Sequence, residues 1–500
     1  MSNSCNRINR TSRPPRSGAR KPLRLLALLG ACALALSGCR YTAAPADLLG
    51  PPMEAPQAGG ASSSLKQLLP AGGSLSLPTR ERQPEAIRSI DLDGDGSPEA
   101  VLTYSDAYGS SRILIARQEA GEWKTWAVLR SAMGTSLEWL SFVDMNGDKQ
   151  PEIIAGWLVR QPGNSLTWQQ YEVQVYSASD PLFEESEEGR LLKPVAELGY
   201  EAGDTGDVDG DGRQELVLVR RPGSPNEPML EVYRFANGRL DRAATLPLEA
   251  DATLYERLAI GRIAKDRFGV IAEAGAGAHS SLTLMAGWYD DGLEQVYPPV
   301  EEPDLGFNMS PVLNTDINGD GILEWSRQVE APGQPEGTPY SDLITYTEWT
   351  QWSGLRPQDP GFVRKDMFLP VTLEYNDFSS GVSVQIPSRW RGQFTLSRPV
   401  EEPEAIIQLD YYNAKSGAIA PLWTLYGIPI KEWGSWSAAM EGKGRKPANL
   451  RTAGGYVYAA IEEPKPKAED GWSDTDLNRY DAMRLTGEQL ASSVRLQPAD

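Results

Sequence analysis

Short apolar runs broken by polar turns recur along most of the chain. AVLTY (100–104), IIAGW (153–157) and LVLVR (216–220) are continuous runs. SRILIARQ (111–118), YEVQVYSA (171–178), MLEVYRFA (229–236) and SLTLMAGW (281–288) are further strand-like segments. Their aliphatic, β-branched and aromatic residues suit a pleated surface, and Gly, Pro, Asn, Asp and Ser cluster between them, which predicts strand after strand joined by turns. Beyond residue 360, FLPVTLEYNDFSSGVSVQIPSRWRGQFTLSR (368–398) reads as strand, turn, strand, turn, strand. IAPLWTLYGIPIKEW (419–433) and GGYVYAAIEE (454–463) continue with strand character. Only SDTDLNRYDAMRL (473–485) carries a helical pattern, with Ser473 or Asp474 as its cap. The expectation is a mainly β chain with a smaller α+β domain at 359–500.

One polar interruption repeats. DLDGDGSPE (91–99) returns as DMNGDKQPE (144–152), DVDGDGRQE (207–215) and DINGDGILE (316–324), each leading into a strand-like run. Asp91, Asp144, Asp207 and Asp316 stand 53, 63 and 109 residues apart. The last interval is close to twice the first, so a silent repeat is expected between Glu215 and Asp316. LAIGRIAKDRFGVIAEA (258–274) sits where it should be, with apolar strands around a tight loop and no acidic ladder. A period of about 50–60 residues holding about four strands is that of a β-propeller blade, and five such units fit between residues 78 and 358.

Within the motif, a carboxylate or amide oxygen recurs at positions 1, 3 and 5, Gly usually stands at 6, and Glu always stands at 9. That set makes an oxygen-only cage for a hard cation, at the charge density Ca²⁺ prefers, and no His or Cys is in reach for zinc or copper. An EF-hand starts alike but places its bidentate Glu at position 12 inside a helix. Here position 12 is Leu102, Ala155, Leu218 or Arg327, and the acid at position 9 runs straight into a strand. The loop therefore joins strand to strand. In the second copy Lys149 replaces Gly at position 6, adding a positive charge and a Cβ at a bend that favours positive φ, so that site is expected to be the weakest.

The repeated motif resembles the FG-GAP/VCBS-type repeat, the calcium-loop blade of integrin-like propellers, over about residues 78–358. The resemblance implies side-chain ligands Asp91, Asp93, Asp95 and Glu99; Asp144, Asn146, Asp148 and Glu152; Asp207, Asp209, Asp211 and Glu215; and Asp316, Asn318, Asp320 and Glu324. It assigns position 7 to the carbonyls of Ser97, Gln150, Arg213 and Ile322.

The N-terminus changes the setting. Seven basic residues between Arg7 and Arg24 lead into LLALLGACALAL and then Leu36-Ser37-Gly38-Cys39, which resembles the bacterial lipoprotein box. The resemblance implies a signal peptide at 1–38, an acylated Cys39 and a chain anchored by lipid on the extracytoplasmic side of the membrane. A Pro-, Ala-, Gly- and Ser-rich stretch follows and reads as a flexible tether at 39–77. The cysteines are Cys5, Cys32 and Cys39, so a mature chain holds no disulfide, and bound metal is the expected staple. Loss of the signal takes the net charge from −20 to about −27, which excludes nucleic acid as a partner.

Catalytic patterns are scarce. No nucleophile elbow, phosphate loop or dinucleotide fingerprint is present, and the single histidine, His279, lies in the silent repeat without a Cys partner. Trp349 and Trp352 in TEWTQWSG, and Trp433 and Trp436 in KEWGSWSA, are candidates for a ligand platform if they stand exposed in a row. The sequence reading is a non-catalytic surface lipoprotein whose calcium-loop propeller is a scaffold for a protein or glycan partner. The alternative is an extracellular enzyme acting on polysaccharide or cell-wall material.

Overall fold

A computed structural model describes residues 63–496 except 82, 132–133, 160–169, 187–188, 222–226, 250–251, 278–279, 291, 310, 340–341 and 400. The signal segment, Cys39, the first part of the tether and His279 lie outside the described residues. Strands dominate, as the apolar pattern predicts, and among the described residues they form six open sheets within one unit, Leu68–Asp500.

The first sheet is built on the meander Ile87–Ile90, Glu99–Ser105, Ser111–Glu119 and Glu122–Leu129. The second comprises Gly134–Val143, Glu152–Val159, Gln170–Tyr176 and Ala196–Tyr200. The third holds Ala202–Gly206, Glu215–Arg220, Met229–Ala236 and Arg239–Pro247, and the fourth Leu254–Ala264, Arg267–Gly275, Ser281–Tyr289 and Gly292–Tyr297. The strands named here pair antiparallel with their neighbours, and the first sheet adds Gly189–Leu192 parallel to Glu122–Leu129. The first three acidic loops join first strand to second, and the fourth, closed by a bridge between Thr315 and Glu324, leads into the first strand of the fifth sheet. In the fourth sheet the loop shrinks to a turn at Lys265 and Asp266, so the silent repeat is present as a hairpin without its nine-residue loop.

Consecutive sheets stack face to face, and this explains why the second strands read as unbroken apolar runs. Ile153, Ala155 and Trp157 pack with Val101, Ile113 and Ile115 of the sheet before, whereas Ile154 packs with Leu216 and Leu218 of the sheet after. Val217 and Val219 then face Val270 and Ala272, while Ile271 meets Trp325 and Trp352. With both faces of a strand buried, neither parity of position is left for polar residues. Each fully buried aliphatic or aromatic side chain contributes about 1.5–3 kcal/mol by leaving water.

The fifth sheet pairs Trp325–Glu330 and Thr345–Trp352 with Phe368–Asp377, Val382–Ile386 and Val494–Leu496, so strands from both sides of residue 358 share it. The sixth contains Phe394–Ser397, Ala405–Asn413, Ala418–Pro429, Tyr456–Glu462 and Pro447–Ala453. Ser473 caps the expected helix, Asp474–Met483, by accepting from the Asp476 N–H at 3.1 Å. One expectation is corrected here. Ile430–Trp433 is not strand but the start of a helix, Ile430–Gly442. Pro429 ends the strand, and Trp433, Trp436 and Met440 recur at helical spacing to cover Tyr426 and Ile428.

Candidate metal centres

The four acidic loops fold on one hydrogen-bond plan. In the first, both oxygens of Asp91 accept backbone N–H groups, Oδ1 from Gly94 at 2.8 Å and Oδ2 from Gly96 at 3.0 Å. Asp93 Oδ1 accepts from Asp95 N and Asp95 Oδ1 from Ser97 N, at 3.2 and 2.7 Å. Glu99 Oε2 reaches back to Leu92 N at 2.8 Å. The same donors recur around Asp144, Asp207 and Asp316, and around Glu152, Glu215 and Glu324. Gln150, Arg213 and Ile322 repeat the position-7 N–H of Ser97. Position 2 is apolar in every copy, and Leu92, Met145 and Val208 are buried, pinning the loop to the core beneath it.

Successive loops touch. A Cβ at Gly94 would stand 3.2 Å from Gln150 Cγ, one at Gly147 would stand 3.7 Å from Arg213 Cδ, and one at Gly210 only 2.8 Å from Phe268 of the silent repeat. The position-4 glycine of one repeat is thus covered by the next.

Three loops gather their carboxylates. Ligand atoms of Asp91, Asp93 and Glu99 lie within 4.8 Å of one another, as do those of Asp207, Asp209 and Glu215, and of Asp316, Asp320 and Glu324. Each such group can hold a metal ion. Among the described residues the second loop forms no group of this kind. Its Asn146 donates its amide to Asp148 Oδ2 and Glu152 Oε1, at 3.1 and 3.2 Å, as Asn318 does to Asp320 and Glu324 in the fourth loop. Lys149 of the second loop takes φ +72°, beside +86°, +87° and +82° at Gly96, Gly212 and Gly321. The position-9 glutamates are all buried, and burial pushes their pKa up, to about 7 for Glu152 and Glu215. A buried acid facing other acids is a site short of positive charge, and an oxygen-liganded cation fits that donor set.

Residues outside the motif complete the sites. Arg117 Nη2 stands 2.9 Å from Asp93 Oδ2, and its Nε stands 3.1 Å from Glu99 Oε1. Arg234 meets Asp209 and Glu215 through the same atoms, and Gln351 Nε2 donates to Asp320 Oδ2 and Glu324 Oε1 at 2.6 and 2.7 Å. Nothing within the nine-residue motif announces these partners, which lie on the strand paired with the one that the loop leads into.

A second feature also escaped the sequence reading. A polar hollow of about 930 Å³ is bounded by Arg80 and Glu81 and by residues of later segments, among them Trp139, Asp204, Glu256, Glu273 and Asn314. Arg80 Nη2 donates to Glu256 O at 3.3 Å, and Asn314 Nδ2 donates to Glu273 Oε1 at 2.9 Å. Glu273 is 7% exposed, and burial raises its pKa to about 7 against the opposing charge of Arg257.

The tryptophan row is corrected. Trp349 and Trp352 are buried, at 5% and 1% exposure, and Trp352 packs between the fourth and fifth sheets. Trp433 and Trp436 are half-buried and stack on each other at 5.8 Å. Two of the four are core because their strand is covered by neighbouring sheets, so no row of four forms.

Residues 91–155 match the model of the FG-GAP-like repeat family. That span runs from the first acidic loop into the second strand of the second sheet, so the FG-GAP-like repeat is one loop-to-loop period of this chain. No curated protein matches the chain. Similar solved structures include the exotype rhamnogalacturonan lyase YesX (12% identity, 79% of this chain and 73% of that one, TM-score 0.26). Rhamnogalacturonan lyase YesW aligns at 13% identity over 69% and 71%, TM-score 0.26, and a Bacillus licheniformis rhamnogalacturonan lyase at 12% over 70% and 72%, TM-score 0.24. All three are enzymes by title, which stands against the expectation of a non-catalytic protein. At these TM-scores they assign no active-site residue to the chain. Among the described residues no helix is long and apolar enough to cross a membrane.

Proposed function

We propose that the protein is an extracytoplasmic, lipid-anchored protein that engages polysaccharide, with its sheets arranged as propeller blades and calcium bound in the acidic loops. The observation that carries the calcium reading is the repeated loop plan, which draws three carboxylates together in three separate copies. Calcium takes six to eight oxygen ligands, and Asp91, Asp93, Asp95, Glu99 and their counterparts supply them, with the position-7 carbonyls in support. The ion would tie first strand to second in each blade, where a mature chain has no disulfide to do so. Anchoring by Cys39 rests on the lipoprotein-box resemblance.

The hollow is the ligand seat in this reading. Sugars offer hydroxyl groups and apolar ring faces, and the hollow supplies carboxylates, arginines and an amide beside Trp139, Leu258 and Ile260. Rhamnogalacturonan, named in the titles above, belongs to that ligand class. Calorimetry on the purified protein tests the first part: calcium should release or absorb heat and raise the melting temperature, and a flat titration would overturn it. A panel of neutral and acidic polysaccharides, offered with and without chelator, tests the second. Retention that survives Glu256→Ala and Trp139→Ala unchanged would remove the hollow as the seat.

A catalytic reading of the same hollow is favoured by Glu273. A buried carboxyl titrating near pH 7 is poised for proton transfer at neutral pH. Polysaccharide depolymerised by the protein should gain new chain ends, and Glu273→Gln should abolish that gain while binding persists. Turnover unchanged in Glu273→Gln would refute this assignment.

A further inference from the structure

We infer that the side chain opposite the position-9 glutamate sets the charge of each cation loop by matching the residue at position 3. This rests on the calcium reading above and extends it to residues outside the motif.

The inference comes from register. Ala100 pairs with Ala116, so Arg117 stands across from Glu99. Leu216 pairs with Tyr233 and Trp325 with Thr350, which places Arg234 across from Glu215 and Gln351 across from Glu324. Ile153 pairs with Tyr176, which places Ser177 across from Glu152. The position opposite the glutamate thus reads Arg, Ser, Arg, Gln through the four loops, while position 3 reads Asp, Asn, Asp, Asn. Arginine occurs where position 3 is charged, and a neutral residue occurs where it is not.

The contacts follow the same division. Both arginines bridge the position-3 and position-9 carboxylates, and each is held over an indole, Arg117 over Trp126 at 4.0 Å and Arg234 over Trp288 at 5.4 Å. In the fourth loop the amides of Asn318 and Gln351 both donate to Glu324 Oε1, at 3.2 and 2.7 Å. Positions 3 and 9 with their cross-strand partner therefore carry one net negative charge in every loop. Arg213, half exposed, pairs with Asp211 outside this inner set. The arrangement keeps the three or four carboxylates of a loop tolerable before the ion arrives and equalises the charge it meets.

The test is a double-mutant cycle in the full-length protein, read by calcium calorimetry and by the melting temperature in chelator. Arg117→Gln adds one uncompensated negative charge, so loop-1 affinity for calcium should rise about tenfold while the calcium-free melting temperature falls. Asp93→Asn takes the set from one net negative charge to none and removes one of the guanidinium's two carboxylates, so it should lower affinity by about tenfold and also lower the calcium-free melting temperature. The pair together copies the fourth loop and should restore both quantities. N318D/Q351R, which copies the first loop into the fourth, should behave likewise, and it keeps the test open if a first-loop variant fails to fold. Additive losses of calcium-free stability in both double variants would overturn the inference. A wild-type protein that binds no calcium would instead overturn the calcium reading, and the chelator arm would still decide the charge matching.

Discussion

Position 6 of the acidic loops shows how much one side chain changes. The backbone is left-handed there in all four copies, and three use glycine while the second uses lysine. An L-residue with a Cβ is disfavoured in that region by roughly 1–2 kcal/mol, so Lys149→Gly should stabilise the calcium-free protein by about 1 kcal/mol, measured by urea unfolding. No gain would mean that Lys149 makes a compensating contact. At position 4 of the third loop the reverse holds. Gly210 sits at φ +82° with Phe268 where a Cβ would go, so Gly210→Ala should cost about 2 kcal/mol or more, visible as a lower urea midpoint.

At the scale of elements, the helix Asp474–Met483 is tied to the sixth sheet through one carboxylate. Asp476 accepts from Tyr411 Oη at 2.7 Å and Asn413 Nδ2 at 2.6 Å, and from the hydroxyls of Ser416 and Ser473 at 3.3 and 2.7 Å. The Ser473 hydroxyl and the other donors hold its pKa down at about 2. A carboxylate with a depressed folded pKa contributes stability above its unfolded value, and that contribution is lost as pH falls from about 4 toward 2. Asp476→Ala should therefore destabilise by about 2–3 kcal/mol at neutral pH and flatten the acid limb of the stability curve. An unchanged acid limb would show that other carboxylates dominate it.

For the whole molecule, the hollow and the loops pull pH and calcium dependence in separate directions. Glu273 has a raised folded pKa of about 7, so its contribution to stability is full below about 4.5 and lost as pH rises through 7. Glu273→Gln should remove that decline and raise stability above pH 7 by up to about 3 kcal/mol, and a variant as pH-dependent as wild type would reject it. Calcium at a hundredfold excess over Kd should add about 2.7 kcal/mol per occupied loop, read as a rise in melting temperature that chelator reverses.

The residues themselves determined the β character, the acidic loops and the Ser473 cap, because each depends on neighbours within about ten positions, and the spacing of the loops then located the silent repeat. Short apolar runs between turn residues, a Glu at position 9 and a helix cap are local physics. Tertiary structure alone decided what those elements face. Whether Trp352 is a platform or core depends on the sheet above it, and Arg117 and Gln351 reach the loops only through strand register. The hollow is made by segments from Arg80 to Leu323, and Glu273 becomes a site residue because distant strands exclude water from it. Burial is a property of the assembled sheets, and no window of sequence carries it.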